Sequence, residues 1–112
     1  MIRLLAFSDI HNNMQAVRVL RAQESNAYDA ILVAGDIGGE SVNSLLEICS
    51  SFQCPIHFVY GNWDFDATYG DRDDGLLGPI HHSIRRVGDI QITGFSGCPT
   101  AWGNNPQHLA GC

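Results

Sequence analysis

The stretch Ile2-Arg3-Leu4-Leu5-Ala6-Phe7-Ser8-Asp9-Ile10-His11-Asn12-Asn13 decides the fold. Its first six residues are apolar except for Arg3, which suits a strand buried on both faces of a parallel sheet better than an alternating, half-exposed one. Ser8-Asp9 closes the run. Asn12-Asn13 can then cap a helix that Met14, Val17 and Leu20 continue at helical spacing to about Ser25-Asn26. A strand that hands over to a helix within a few residues is the opening of a βα unit.

The same handover recurs twice. Ala30 to Ala34 is apolar and ends at Gly35-Asp36, after which Val42, Leu45, Leu46 and Cys49 fall at i, i+3, i+4 and i+7. Pro55 opens a third run, Ile56 to Tyr60, which ends at Gly61-Asn62. Strand, helix, strand, helix, strand with short connections predicts an α/β fold with a parallel sheet. From Thr68 to Gly78 the acidic cluster Asp71, Asp73 and Asp74 around Arg72 predicts a solvated loop. Ile80 to Val87 and Ile90 to Phe95 flank Gly88-Asp89 as the arms of a hairpin. The segment Gly97 to Cys112 has no core-forming period and reads as loop. One domain over residues 1–112 fits this length and the 45% apolar content.

Composition excludes several functions. The net charge of −6 offers no basic patch for a phosphate backbone, so stable nucleic-acid binding is not expected. No apolar run approaches the roughly 20 residues that span a bilayer, and Met1-Ile2-Arg3 leads into a strand without a signal-peptide pattern, so the expected location is cytoplasmic and no membrane partner is expected. The chain contains no lysine, which removes the phosphate-loop lysine and Schiff-base chemistry together. Cys49, Cys54, Cys98 and Cys112 include no C-x-x-C pair and read as free thiols.

The chemistry concentrates where the three strands end: Ser8-Asp9-Ile10-His11, Gly35-Asp36 and Gly61-Asn62. In an open parallel sheet the carboxyl ends of neighbouring strands meet at one crevice, the ligand-binding edge of such folds. Asp9, His11, Asp36 and Asn62 are therefore candidate ligands of a common metal centre. A mixed carboxylate, imidazole and amide set suits manganese, iron or zinc. The competing explanation for Asp9 and Asp36 is helix capping. Asp64 reads as a residue that caps or hydrogen-bonds a turn, His57 as a core or helix-facing residue within the third strand, and His81 and His82 as neighbours on a strand facing opposite sides. Trp63 and Trp102 read first as packing residues.

These residues also carry a resemblance. Asp9-Ile10-His11-Asn12, Gly35-Asp36-Ile37-Gly38 and Gly61-Asn62-Trp63-Asp64 resemble, in order and spacing, the first three motifs of the calcineurin-like metallophosphoesterases. The later stretch Val87-Gly88-Asp89-Ile90-Gln91-Ile92-Thr93-Gly94-Phe95-Ser96-Gly97 is similar to a hairpin of the family's small members. The resemblance implies an αββα sandwich, of which residues 1–112 would be the N-terminal portion. It implies two divalent metal ions, with Asp9 and His11 on the first, Asp36 bridging and Asn62 on the second. Asn12 and Asn62 would contact the substrate. The implied reaction is hydrolysis of a phosphodiester or phosphomonoester by a metal-bridged hydroxide.

The chain departs from the family pattern at two places. Trp63 stands where the third motif usually has a histidine that protonates the leaving group or steadies the transition state. The lone histidine and Gly-His-x-His motif that complete the family's metal sites have no match here, and His108 lacks their flanking strand, so the second site is expected to be incomplete. Half a sandwich would leave apolar sheet exposed and favour self-association. The alternative function is a non-catalytic interaction scaffold with the same fold, as a retromer subunit of the family illustrates, or a single-metal binder using only Asp9, His11 and Asp36.

Overall fold

The apolar runs and helical spacings resolve into two sheets and two helices in the computed structural model, which describes residues 1–39, 41–61, 64 and 77–97. The elements are β1 (Leu4–Phe7), α1 (Met14–Gln23), β2 (Ala30–Ala34), α2 (Val42–Cys49), β3 (Ile56–Val59), β4 (Leu77–Pro79), β5 (Ile84–Val87) and β6 (Ile90–Thr93). Strands β1 to β4 form one parallel sheet in sequence order, and β5 pairs with β6 in an antiparallel hairpin. Leu5 lies opposite Ile31, and Ile31 opposite Ile56, so alternate residues of three strands share one face.

That face is the core. Ile31, Val33, Ile56 and Phe58 are buried with Val17 of α1 and with Val42, Leu45, Leu46 and Cys49 of α2. The four α2 residues picked out by spacing are all buried, because an i, i+3, i+4, i+7 stripe covers one side of a helix. Asn13 caps α1 as expected, its side-chain oxygen accepting from the Ala16 N–H at 3.1 Å. The hairpin lies on the opposite face of the sheet. Leu32, Ala34, His57 and Val59 line a cavity of about 170 Å³ there with Ile80, Ile92, Thr93 and Gly94. His57 is buried, as a core residue of the third apolar run, but on the hairpin face rather than facing a helix.

Four expectations change. Strand β1 is not buried on both faces: it pairs only with β2 among the described strands, and Ala6 is exposed. An apolar run reports what a strand is made of, whereas its burial depends on what lies beside it. The loop expected from Thr68 to Gly78 gives way at Leu77 and Gly78, which belong to β4 and pair with Ile56 and His57. The hairpin is shorter than expected, because the first arm begins at Ile84 and the second ends at Thr93. His82 has φ +56, a left-handed turn that breaks the run between β4 and β5. It also overturns the opposite-face placement of His81 and His82, whose rings lie 4.0 Å apart and pack edge-on with each other and with Phe95.

The expectations for the Asp71, Asp73 and Asp74 loop, Trp63, Trp102, His108, Cys98, Cys112 and the terminal segment lie outside the described residues. Cys49 and Cys54 are free. Among the described residues, no helix is long and apolar enough to cross a membrane.

Candidate metal centre

The turns after β1 and β2 share one construction: a polar residue, an isoleucine, then another polar or small residue. Ile10 and Ile37 are both buried in the core, which pins each turn to the body of the domain; Asp9 and His11 beside Ile10 are exposed, Asp36 is half-buried and Gly38 is buried. The turns are also bonded to each other. The Asp9 N–H donates to Gly35 O at 3.3 Å, the His11 N–H to Asp36 O at 2.9 Å and the Asn12 N–H to Ile37 O at 2.8 Å. The pairing of β1 with β2 thus continues past the ends of both strands.

Backbone strain collects at this point. Asp9, His11, Asn12 and Asp36 all adopt left-handed conformations, with φ of +59, +51, +63 and +56. Aspartate and asparagine tolerate this region through local hydrogen bonds, and histidine less readily. Such residues cost about 1–3 kcal/mol each when strained and persist only where their surroundings over-determine them. The inter-turn hydrogen bonds and the two buried isoleucines provide that determination.

The result is convergence. One ligand atom from each of Asp9, His11 and Asp36 lies within 4.8 Å of the others. His11 Nε2 is 3.7 Å from Asp9 Oδ1 and 3.9 Å from Asp36 Oδ2. These separations exceed hydrogen-bonding distance, but atoms that ligate one ion at about 2.0–2.2 Å stand roughly 3–4 Å apart, so the donor set fits a single cation. Two carboxylates this close repel each other, which a divalent cation relieves. The Ser8 hydroxyl donates to Asp9 Oδ2 at 2.6 Å and orients that carboxylate. Asp36 is the least exposed of the three, its side chain 24% accessible.

The capping explanation fails for both aspartates. The N-cap of α1 is Asn13 and that of α2 is Ser41, so neither Asp9 nor Asp36 closes a helix. Ser41 makes no side-chain cap bond; its hydroxyl instead donates to Asn12 Oδ1 at 2.8 Å. Gly38, at φ +105, packs directly against the Asn12 side chain, where a Cβ would collide with it. Gly61 stands equally close to Asp36, since a Cβ there would strike Asp36 Oδ1. The Asp36 carboxylate therefore has one oxygen toward His11 and the other toward the carboxyl end of β3, which Asn62 follows in sequence. Asn62 itself lies outside the described residues.

Sequence reasoning gave Asp64 only the role of a local cap. It does sit in a local turn, its N–H donating to Gly61 O at 3.2 Å. Its side chain, however, is fully buried and accepts from the backbone of Asp36 and Gly38 as well as Gly61. The spacing Gly61-x-x-Asp64 signals the local bond, whereas nothing local signals a reach of 28 residues back along the chain.

The family model described as the calcineurin-like phosphoesterase superfamily domain matches residues 2–94. No curated protein and no solved structure is matched. The matched span contains all three strand-end motifs, including the turns that bring Asp9, His11 and Asp36 together, and the chain belongs to the calcineurin-like phosphoesterase superfamily.

Proposed function

We propose that this chain is a divalent-metal-dependent phosphoesterase, acting on a phosphodiester or a phosphomonoester. The observation that carries the reading is the convergence of Asp9, His11 and Asp36 within 4.8 Å on strained, hydrogen-bonded turns. Asp9 and His11 hold the first cation. Asp36 would share that cation with them, and Asn62, which follows Gly61 in sequence, would help to hold a second. Manganese, iron or zinc suits these ligands. When bound, such cations supply Lewis-acid stabilisation of phosphoryl charge and acidify water.

The protein's own part is placement and charge. Asp9 and His11 are exposed, so a phosphate ester can approach from solvent. Asn12, exposed and steadied by Ser41, is positioned on the same turn to contact the ester. The indole of Trp63 is no acid, so a proton for the leaving group comes from elsewhere.

A second reading, a binding scaffold of the same fold, is favoured by Trp63, which stands where the third motif of the family usually has a histidine. One experiment separates the two. Manganese is titrated by calorimetry into the chain and into Asp36→Asn, with hydrolysis of bis(p-nitrophenyl) phosphate followed in the same samples. Binding and turnover lost together in the variant support the phosphoesterase. Absence of both in the unmodified chain overturns it in favour of the scaffold.

A further inference from the structure

Asp64 presents a carboxylate with no exposed surface, yet not to any cationic side chain among the contacts described for it. Its Oδ2 accepts from the Asp36 N–H at 2.9 Å and from the Gly61 N–H at 2.7 Å, and its Oδ1 accepts from the Gly38 N–H at 2.7 Å. Those three amides belong to two separate turns, after β2 and after β3. A buried carboxylate is costly unless its oxygens are bonded, and three charge-assisted hydrogen bonds to backbone amides meet that demand. The arrangement is a strap: one side chain closes the ends of two neighbouring strands upon each other.

We infer that Asp64 is the positioning residue of the metal centre, holding the β2 turn against the β3 turn so that the Asp36 carboxylate stays between His11 and the carboxyl end of β3. The inference rests on the metal reading proposed above. Its geometry is specific. Asp64 grips the amide of Asp36 itself, the residue at φ +56, and that of Gly38, which packs against Asn12. It also grips Gly61, whose lack of a side chain leaves room for Asp36 Oδ1. No other acidic side chain forms a bond of this kind in the hydrogen bonds described between these turns. Asparagine at position 64 keeps the shape but turns an NH2 group toward at least one backbone N–H, setting donor against donor.

Amide hydrogen exchange on the metal-free chain, resolved by NMR, is the first measurement. In the unmodified chain the amides of Asp36, Gly38 and Gly61 should be protected. In Asp64→Asn at least one should exchange about tenfold faster, with Ile31 in the core unchanged. Unprotected amides in the unmodified chain overturn the strap without recourse to any variant, so a variant that fails to fold leaves the inference testable. The second measurement is manganese affinity by calorimetry. Asp64→Asn should weaken it about ten- to a hundredfold at unchanged stoichiometry. Ile56→Val, a core control at the opposite end of β3, should leave affinity within about twofold even though it lowers the melting temperature. Equal affinity in Asp64→Asn and the unmodified chain, or an equal loss in the control, overturns the positioning role. If the unmodified chain binds no manganese, the metal reading fails and the positioning role falls with it, while the exchange data still decide whether the strap exists.

Discussion

Asp36 Oδ2 faces His11 Nε2 at 3.9 Å, while the other oxygen of the same carboxylate faces the backbone of Gly61. One side chain thus addresses the ends of the strands on both sides of its own. The arrangement needs the left-handed φ of Asp36, a straight register between β1, β2 and β3, and a residue without a side chain at 61.

Metal should stabilise the folded chain. Binding that is confined to the folded state adds about 2.7 kcal/mol when free ligand is a hundredfold above the dissociation constant, roughly 10 °C in melting temperature for a domain of this size. Scanning fluorimetry with manganese should record that rise in the unmodified chain, and chelation should reverse it. Asp36→Asn should show no rise at the same manganese concentration.

Gly61→Ala tests the space reserved for the Asp36 carboxylate. Position 61 is not left-handed, so alanine meets no left-handed penalty there; its Cβ would displace Asp36 Oδ1 and also lie 2.8 Å from the Asp36 backbone nitrogen, so some stability is lost along with the place of the carboxylate. Manganese affinity should fall about tenfold. Gly38→Ala is the contrast: at φ +105 it carries backbone strain as well as a clash with Asn12, and should lose about 1–3 kcal/mol of stability by denaturant titration.

Helix capping separates stability from the site. Asn13→Ala removes the bond to the Ala16 N–H and should cost about 1 kcal/mol, a fall of roughly 4 °C in melting temperature. Calorimetry should find its manganese affinity unchanged, because the Asn13 side-chain oxygen is engaged by the Ala16 N–H of its own helix.

His81 should make stability depend on pH. Loss of surrounding water and then the charge of His82 lower its basicity from the ordinary value of 6.5. The geometry adds a reason that holds although the ring is largely exposed: Nδ1 accepts from the Ser96 N–H at 2.7 Å, which a protonated Nδ1 cannot do. The unfolded state therefore binds protons more readily, so stability is fully present above 6.5 and is lost as the pH falls below that value toward the lowered one. Melting curves between about pH 7.5 and 5.5 should fall less steeply for His81→Asn, whose amide oxygen stands where Nδ1 does and can keep the Ser96 bond. Identical slopes would remove His81 as the cause.

Cys49 should resist alkylation. Burial foremost, then the neighbouring Cys54, pushes its thiol up to about 11, with Arg21 opposing. At pH 8 about one molecule in a thousand then carries the reactive thiolate. Peptide mapping after native iodoacetamide treatment should find Cys49 unmodified, and after denaturation modified. Native labelling at the rate of a free thiol would mean that the α2 face is not packed as described.

The elements carried by local pattern were legible in the chain. β2 matches its apolar run, and α2 buries the four residues its spacing selected. Asn13 caps the helix it precedes. What depended on neighbours was not legible. The apolar run of β1 gives no sign that Ala6 is exposed, because exposure depends on what covers that face of the sheet, the one it shares with Leu32. The pair His81-His82 reads as two faces of a strand until the left-handed φ of His82 ends that strand and brings the rings together. Asp64 shows its short bond to Gly61 in its spacing, but its bonds to Asp36 and Gly38 cross 28 and 26 residues.

The sequence by itself determined which chemical groups stand at the ends of the strands, in what order, and that parallel strands carry them toward one edge of a sheet. Hydrophobic periodicity and turn residues act over a few positions, so they are written locally. The tertiary structure decided the convergence of Asp9, His11 and Asp36, the two-sided placement of the Asp36 carboxylate and the burial of Asp64 between two turns. These follow from hydrogen bonds and packing between segments far apart in the chain, whose energies exist only once the strands have come into register.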